Sequence, residues 1–418
     1  MITKTVLPNG IRVISEHIPH LHSVSIGVWV ATGSRHEGEQ ERGISHFIEH
    51  MLFKGTERRT AREIASEIDS VGGILNAFTS REHTCYYAKV LDTFLPRAAD
   101  LLADILLNSL FADEEVEKER QVILQEIGMI EDTPDDLIHD LFARNFWPGH
   151  PLGKPIIGTV ESVSSFTGAM AREYRERRYL PGDIIISAAG KVDHAELVDL
   201  LAPFAALAPG KSAGSNNAPV AVGGAERYER DLEQVHLCLG TPGVTYTHAD
   251  RHAAFLMNTL LGSGMSSRLF QEIRERRGLV YSVYSYLSLH TDAGSLVVYA
   301  GADEGRISEV IELILAELKG LKQVPVPAEE LDAARNHFSG HLLLSLESSD
   351  NRMTRLAKSE LHFGREVTVE ELLDEFRRVT ADDVLRVAND LFGDAPLSLA
   401  LIGRVADIPL GSDRINLS

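Results

Sequence analysis

TAREIASEIDSVGGILNAFTSREHTCYYAKVL, residues 60–91, decides the fold class. Thr60 to Val71 reads as a helix whose start, Thr60-Ala61-Arg62-Glu63, has the form of a capping box. Gly72-Gly73 stops it. Two β-rich runs follow, Ile74–Ser80 and His83–Leu91, and read as a strand pair. Beyond them lie two amphipathic helical stretches, Thr93–Leu107 and Asp113–Glu131. The same order returns in the second half. A helical segment Ser266–Arg276, a stop at Arg277-Gly278, strands Val280–Ser288 and Gly294–Ala300, then helices Glu304–Lys319 and Ala328–Leu346. Runs of strands followed by runs of helices, rather than strict alternation, predict an α+β protein. The expectation is two structurally similar domains, each a mostly antiparallel sheet with helices on one face. The pattern alone also admits two unrelated α+β domains.

Between the halves, Ala208–Gly224 (APGKSAGSNNAPVAVGG) is rich in Gly, Ser, Pro and Asn and has no apolar period. It reads as a linker at 208–224, with domains at 1–207 and 225–418. A chain of 418 residues suits two domains, and 44% hydrophobic content is enough for two cores. The charge balance of 41 Lys and Arg against 61 Asp and Glu gives −20, which repels a phosphate backbone and argues against nucleic-acid binding. The two cysteines, Cys85 and Cys238, form no Cys-x-x-Cys pair, so neither a disulfide framework nor a thiolate metal site is expected. No run of 18 apolar residues and no leader-like opening is present, so no membrane segment is expected and the chain reads as cytoplasmic. Instead it opens on a hairpin signal around Pro8-Asn9-Gly10.

Seventeen histidines are numerous, and one group of them is ordered. Gly43–Lys54 reads GISHFIEHMLFK. On a helix with His46 at zero, His50 falls at about 40° and Glu49 at about −60°. Ile44, Phe47, Ile48, Met51 and Leu52 fall between about 100° and 240°, on the opposite side. Phe53 is the exception, at about −20° on the polar side. One face can therefore anchor in a core while the other presents two imidazoles one turn apart, able to share a metal ion at about 2.0–2.1 Å. Glu49 shares that polar face and is suited to take a proton from a metal-bound water. His-x-x-Glu-His is the inverted zincin signature.

A catalytic zinc needs a third protein ligand. In the helix EEVEKERQVILQEIGMI, Glu119 and Glu126 both lie within or beside the apolar stripe of Val116, Ile123, Ile127 and Ile130. Burying a carboxylate is costly unless it is paired or binds metal. From the helix alone both readings stand, a ligand or two ordinary carboxylates on a charged helix.

With HFIEH at 46–50 and Glu126 standing 76 positions after His50, the chain resembles the pitrilysin-type zinc metallopeptidase family. The resemblance covers essentially the whole chain, including LPNGIRV, GGILNAFTSREHTCYY and EKERQVILQEI, and is closest in look to the processing-peptidase β-like bacterial subgroup. It implies one Zn2+ per chain held by His46, His50 and Glu126, Glu49 as general base, and Glu119 as a supporting group outside the ligands. It implies that Asn76, Ala77, Phe78 and Thr79 form an edge strand that pairs with an extended peptide. LFQEIRERRGLVYS resembles the family segment whose Arg and Tyr steady the developing oxyanion, which assigns Arg274 and Tyr281. Gly262-Ser263-Gly264 resembles a family Gly-rich loop in reduced form. HFSGH at 337–341 has two histidines four apart, but Gly340 stands where the base would be, so the second half is read as lacking a zinc site. The implied activity is a zinc endopeptidase acting on peptides or unfolded polypeptide segments inside a clamshell, as a homodimer. The alternatives are a non-catalytic structural subunit of the same fold, or a catalytic subunit needing a different partner chain.

Overall fold

The computed structural model describes residues 1–212, 217–393, 396–406 and 408. Part of the expected linker, 213–216, thus lies outside the described residues. The order of elements around residues 60–91 is as the sequence predicts. A helix Ala61–Asp69 is followed by strands Ile74–Thr79 and Thr84–Leu91 and by helices Leu95–Asn108 and Asp113–Glu131. Its capping box is complete: the Glu63 N–H donates to Thr60 Oγ1 at 3.3 Å and the Thr60 N–H to Glu63 Oε2 at 2.8 Å. In the second half the expected helix at 266–276 is a π-type helix, Phe270–Arg276, ahead of strands Val280–Leu289 and Gly294–Ala302 and helices Ile307–Gln323 and Ala328–Ser345.

The chain forms two compact units, each built on one sheet. The first contains β1 (Ile2–Val6), β2 (Arg12–His17), β3 (Ser23–Val30), β4 (Ile74–Thr79), β5 (Thr84–Leu91) and β6 (Ile184–Gly190), in the order β1-β2-β6-β3-β5-β4. The second contains β7 (Gly224–Glu229), β8 (Val235–Pro242), β9 (Val280–Leu289), β10 (Gly294–Ala302) and β11 (Ser398–Gly403), in the order β7-β11-β8-β10-β9. Each sheet has one parallel pair, β2 with β6 and β7 with β11, and is otherwise antiparallel. Strand for strand the second order repeats β2-β6-β3-β5-β4, so the domains are structurally similar; β1 is an added edge. β1 exists because the Pro8-Asn9-Gly10 turn folds it back on β2, with Gly10 at φ +101°, a conformation that a side chain would strain.

Packing divides the chain differently from the contiguous 1–207 and 225–418. The first unit comprises 1–129, 154–216 and 345–366, and the second 130–153, 217–344 and 367–418. The physical reason is sheet coverage. Every residue of β6 is buried, so both of its faces are covered. One cover is the helix Ser349–Phe363, whose Met353, Leu356 and Ala357 pack on Ile14, Trp29, Cys85, Ile185 and Ala189. In the second unit Pro134–Phe146, from the first half, plays the same part, with Ile138, Phe142 and Phe146 against Cys238, Val297, Ala400 and Ile402. Among the described residues no helix is long and apolar enough to cross a membrane.

Candidate metal centre

The site belongs to the first unit. The histidine segment forms the helix Ile44–Met51, and its apolar side is buried as the periodicity predicts: Ile44, Phe47, Ile48 and Met51 are all at 1% exposure or less. Phe47 packs edge-on against Phe166, with ring centroids 5.3 Å apart. Phe53 does not extend the polar face, because the helix has ended; its ring lies 6.4 Å from that of Tyr86.

Two features outside the helix fix its start. Gly43 has φ +87°, and a Cβ there would come within 2.5 Å of the Ile157 carbonyl oxygen. Only glycine permits both the turn and that approach. Glu37, buried, then accepts from the N–H groups of Gly43 at 2.7 Å and Ser45 at 2.9 Å. These amides have no partner inside the helix, so Glu37 caps it from six residues upstream of Gly43.

His46 Nε2 and His50 Nε2 each lie 3.8 Å from Glu126 Oε2, and the three groups offer ligand atoms within 4.8 Å of one another. Those separations are too long for hydrogen bonds. They are close to the ~3.4 Å between two ligands of a tetrahedral ion with bonds of 2.0–2.1 Å. Burial, aided by the charge of His50, pushes His46 down to about 4, which keeps it neutral as a ligand must be. Two imidazoles and one carboxylate, converging without bonding one another, fit a zinc ion. Among the described residues this is the one such group of three.

The surrounding groups hold the candidate ligands in place. Glu119, 4% exposed, sits 3.0 Å from His50 Nδ1 through Oε2 and 2.6 Å from Lys54 Nζ through Oε1. Burial works to raise the Glu119 carboxyl, but the hydrogen bonds from His50 and Lys54 outweigh it and hold it below the usual range. For His50 burial works downward, and the Glu119 hydrogen bond with the charges of Glu126, Glu119 and Glu49 reverses it, so the net direction is up. His46 Nδ1 is buried with no hydrogen bond among the described residues. Glu49 accepts a hydrogen bond from Thr79 Oγ1 on β4; burial pushes its carboxyl upward.

The helix expectation for the acids needs one correction. Glu119 is buried, but the Glu126 side chain is 36% exposed, so burial alone would not have singled it out. Lys54 and Glu37 were missed. Lys54 carried a faint signal, a cation one turn beyond His50; Glu37 carried none, since its partners are backbone amides.

On β4, Asn76 and Phe78 point to one face and Ala77 and Thr79 to the other, and among the described residues β4 pairs only with β5. Arg274 and Tyr281 lie together in the second unit. The Arg274 guanidinium stands 5.2 Å over the Tyr281 ring and 4.7 Å over Phe270, and Tyr281 is 78% exposed. His337 and His341 join no metal-competent group among the described residues.

A repeated α+β unit bearing a His-His-Glu centre in its first copy defines a metallopeptidase architecture. Comparison with known proteins agrees. Residues 12–160 match the family model described as Insulinase (Peptidase family M16), and residues 165–338 match that of the Peptidase M16 inactive domain. An uncharacterized zinc protease of Bacillus subtilis is 42% identical over 410 residues, spanning 98% of this chain and all of that protein. One from Mycobacterium leprae is 44% identical over 402 residues, 93% of this chain and 89% of the relative. This chain belongs to peptidase family M16, the pitrilysin-type family. In fold it matches a protease from Helicobacter pylori, with TM-score 0.89 and 23% identity over 96% of this chain and 99% of that one. It also matches a peptidase M16 inactive domain from Pseudomonas fluorescens, with TM-score 0.90 and 19% identity over 96% and 98%.

Proposed function

We propose that this chain is a zinc-dependent endopeptidase that hydrolyses peptides or unfolded polypeptide segments. The observation that carries the reading is the meeting of His46, His50 and Glu126 on one point, with Glu49 on the same helix face. Bound there, zinc would polarise the scissile carbonyl and lower the pKa of a water to about 7. Glu49 takes a proton from the attacking water and passes it to the departing amine. The Thr79 hydroxyl holds the Glu49 carboxylate in place, and Glu119 holds the His50 ring. The free edge of β4 offers backbone donors and acceptors to an extended peptide, through Asn76–Thr79. Arg274 and Tyr281 supply donors to the oxyanion. One zinc per chain and a pair of identical chains complete the reading.

The test is metal content and turnover together. Zinc-loaded protein should cleave a quenched unstructured peptide and lose this on chelation. Protein that loads one zinc and cleaves nothing would favour the need for a different partner chain. Protein that loads none would end the proposal. A solution mass of one 46.0 kDa chain would remove the homodimer.

A further inference from the structure

A cavity of about 250 Å³ lies beside β4 on the face away from Glu49, lined by Ile74 and Phe78 of β4, Tyr87 and Lys89 of β5, and Asp350, Asn351, Met353 and Thr354 of the helix Ser349–Phe363. All belong to the first unit. Its size falls below that of small-molecule sites, about 300–1,000 Å³, and suits a single side chain.

Three observations bear on what fills it. Strand period comes first. Leu75, Ala77 and Thr79 face the Glu49 side, where Thr79 bonds Glu49, so Ile74, Asn76 and Phe78 face the cavity. A peptide strand laid along the β4 edge repeats this alternation, so its alternate side chains pass over the cavity. Second, large apolar groups are left open there: Ile74 is 55% exposed and Phe78 36%, with Phe78 edge-on to Tyr87 at 6.4 Å. Third, the charges are already matched. Lys89 Nζ sits 2.9 Å from Asp350 Oδ2, and Asp350 Oδ1 accepts from Ser25 Oγ at 2.6 Å. An incoming charge would be desolvated without a free partner.

We propose that this cavity is a specificity subsite that takes one large uncharged side chain, aromatic or aliphatic, of the substrate strand. This rests on the endopeptidase reading and deepens it. The cavity's two β4 residues, Ile74 and Phe78, bracket Asn76, which is three residues along β4 from Thr79, or about 10 Å at 3.3 Å per residue. On the endopeptidase reading, with the scissile bond taken level with Thr79, the selected residue stands about three positions from it.

Peptide binding to zinc-loaded Glu49→Gln protein, followed by fluorescence anisotropy, separates the subsite from the chemistry. A peptide series varied at one position at a time should show one position where Phe, Leu or Tyr binds at least tenfold more tightly than Asp, Glu or Lys. Adding Thr354→Trp, which fills the cavity, should cut that ratio below threefold. Adding Lys89→Met, which leaves Asp350 without its cation, should instead raise the affinity for Lys or Arg at the same position at least fivefold. Because Lys89 is on β5 and Thr354 on the helix Ser349–Phe363, one variant remains informative if the other fails to fold. No preference at any position, or one unmoved by both variants, overturns the subsite. Hydrolysis is assayed in parallel on protein with Glu49 intact. No cleavage there, with the binding preference present and responsive, sinks the hydrolytic reading and leaves the subsite standing.

Discussion

His50 Nδ1 and Glu119 Oε2 lie 3.0 Å apart, and this pairing fixes which nitrogen of the ring is available to a metal. An ionised carboxylate can only accept, so Nδ1 carries the proton and Nε2 presents its lone pair toward Glu126. Glu119→Gln can donate as readily as accept, and leaves Lys54 without its anion. The expected result is a 10–100-fold loss of zinc affinity or activity, with the fold retained. Chelator competition against wild type measures it; equal affinities and rates would show the pairing to be idle.

Glu49 separates chemistry from metal binding. Glu49→Gln should keep one zinc per chain and slow cleavage by about 10²–10⁴-fold, the usual worth of a positioned base. Metal analysis beside a peptide assay checks both halves. Normal turnover in this variant would move the base elsewhere.

Glu37 touches none of the candidate ligands but caps the helix that carries His46 and His50. Glu37→Ala orphans the amides of Gly43 and Ser45, at about 1–3 kcal/mol each if water does not replace the carboxylate. The urea midpoint should fall, and zinc should be stripped at lower chelator concentration. Glu37→Gln retains an acceptor and should fall between. A full loss of stability with unchanged zinc affinity would limit Glu37 to a general structural role.

His252 should make the second unit sensitive to acid. Burial, reinforced by the charge of Arg251, pushes it from 6.5 down to about 4. The folded protein then keeps it neutral while the unfolded chain takes a proton. Its contribution is whole above pH 6.5 and is lost as pH falls toward 4, with about 2 kcal/mol gone at pH 5. Denaturant midpoints at pH 7 and pH 5 should therefore differ less in His252→Leu than in wild type. Identical differences would assign the acid sensitivity to other groups.

What the sequence revealed followed local period. The His46, Glu49 and His50 face was legible because five apolar residues mark the opposite side of one short helix. The strand pair at 74–91 was legible because Gly72-Gly73 separates two different periods. Glu126 was weaker, since a half-exposed carboxylate on a charged helix looks like its neighbours, and only its distance from His50 within a family pattern distinguished it. Glu37, and the pairing of Lys54 with Glu119, were illegible because contacts formed by folding leave no spacing rule. The same holds for Ser349–Phe363, whose docking on the first sheet is a contact formed by folding.

That helix also bears on the order of events during synthesis. His46, Glu49, His50 and Glu126 are all made by residue 126, yet the sheet beneath them has its second cover only once residues 345–366 have left the ribosome. A nascent chain stopped before residue 345 therefore carries His46, Glu49, His50 and Glu126 on an unfinished scaffold. Under the proposed endopeptidase reading, hydrolytic competence is then expected of the nearly complete polypeptide, and a truncated product is not expected to act as a stray protease.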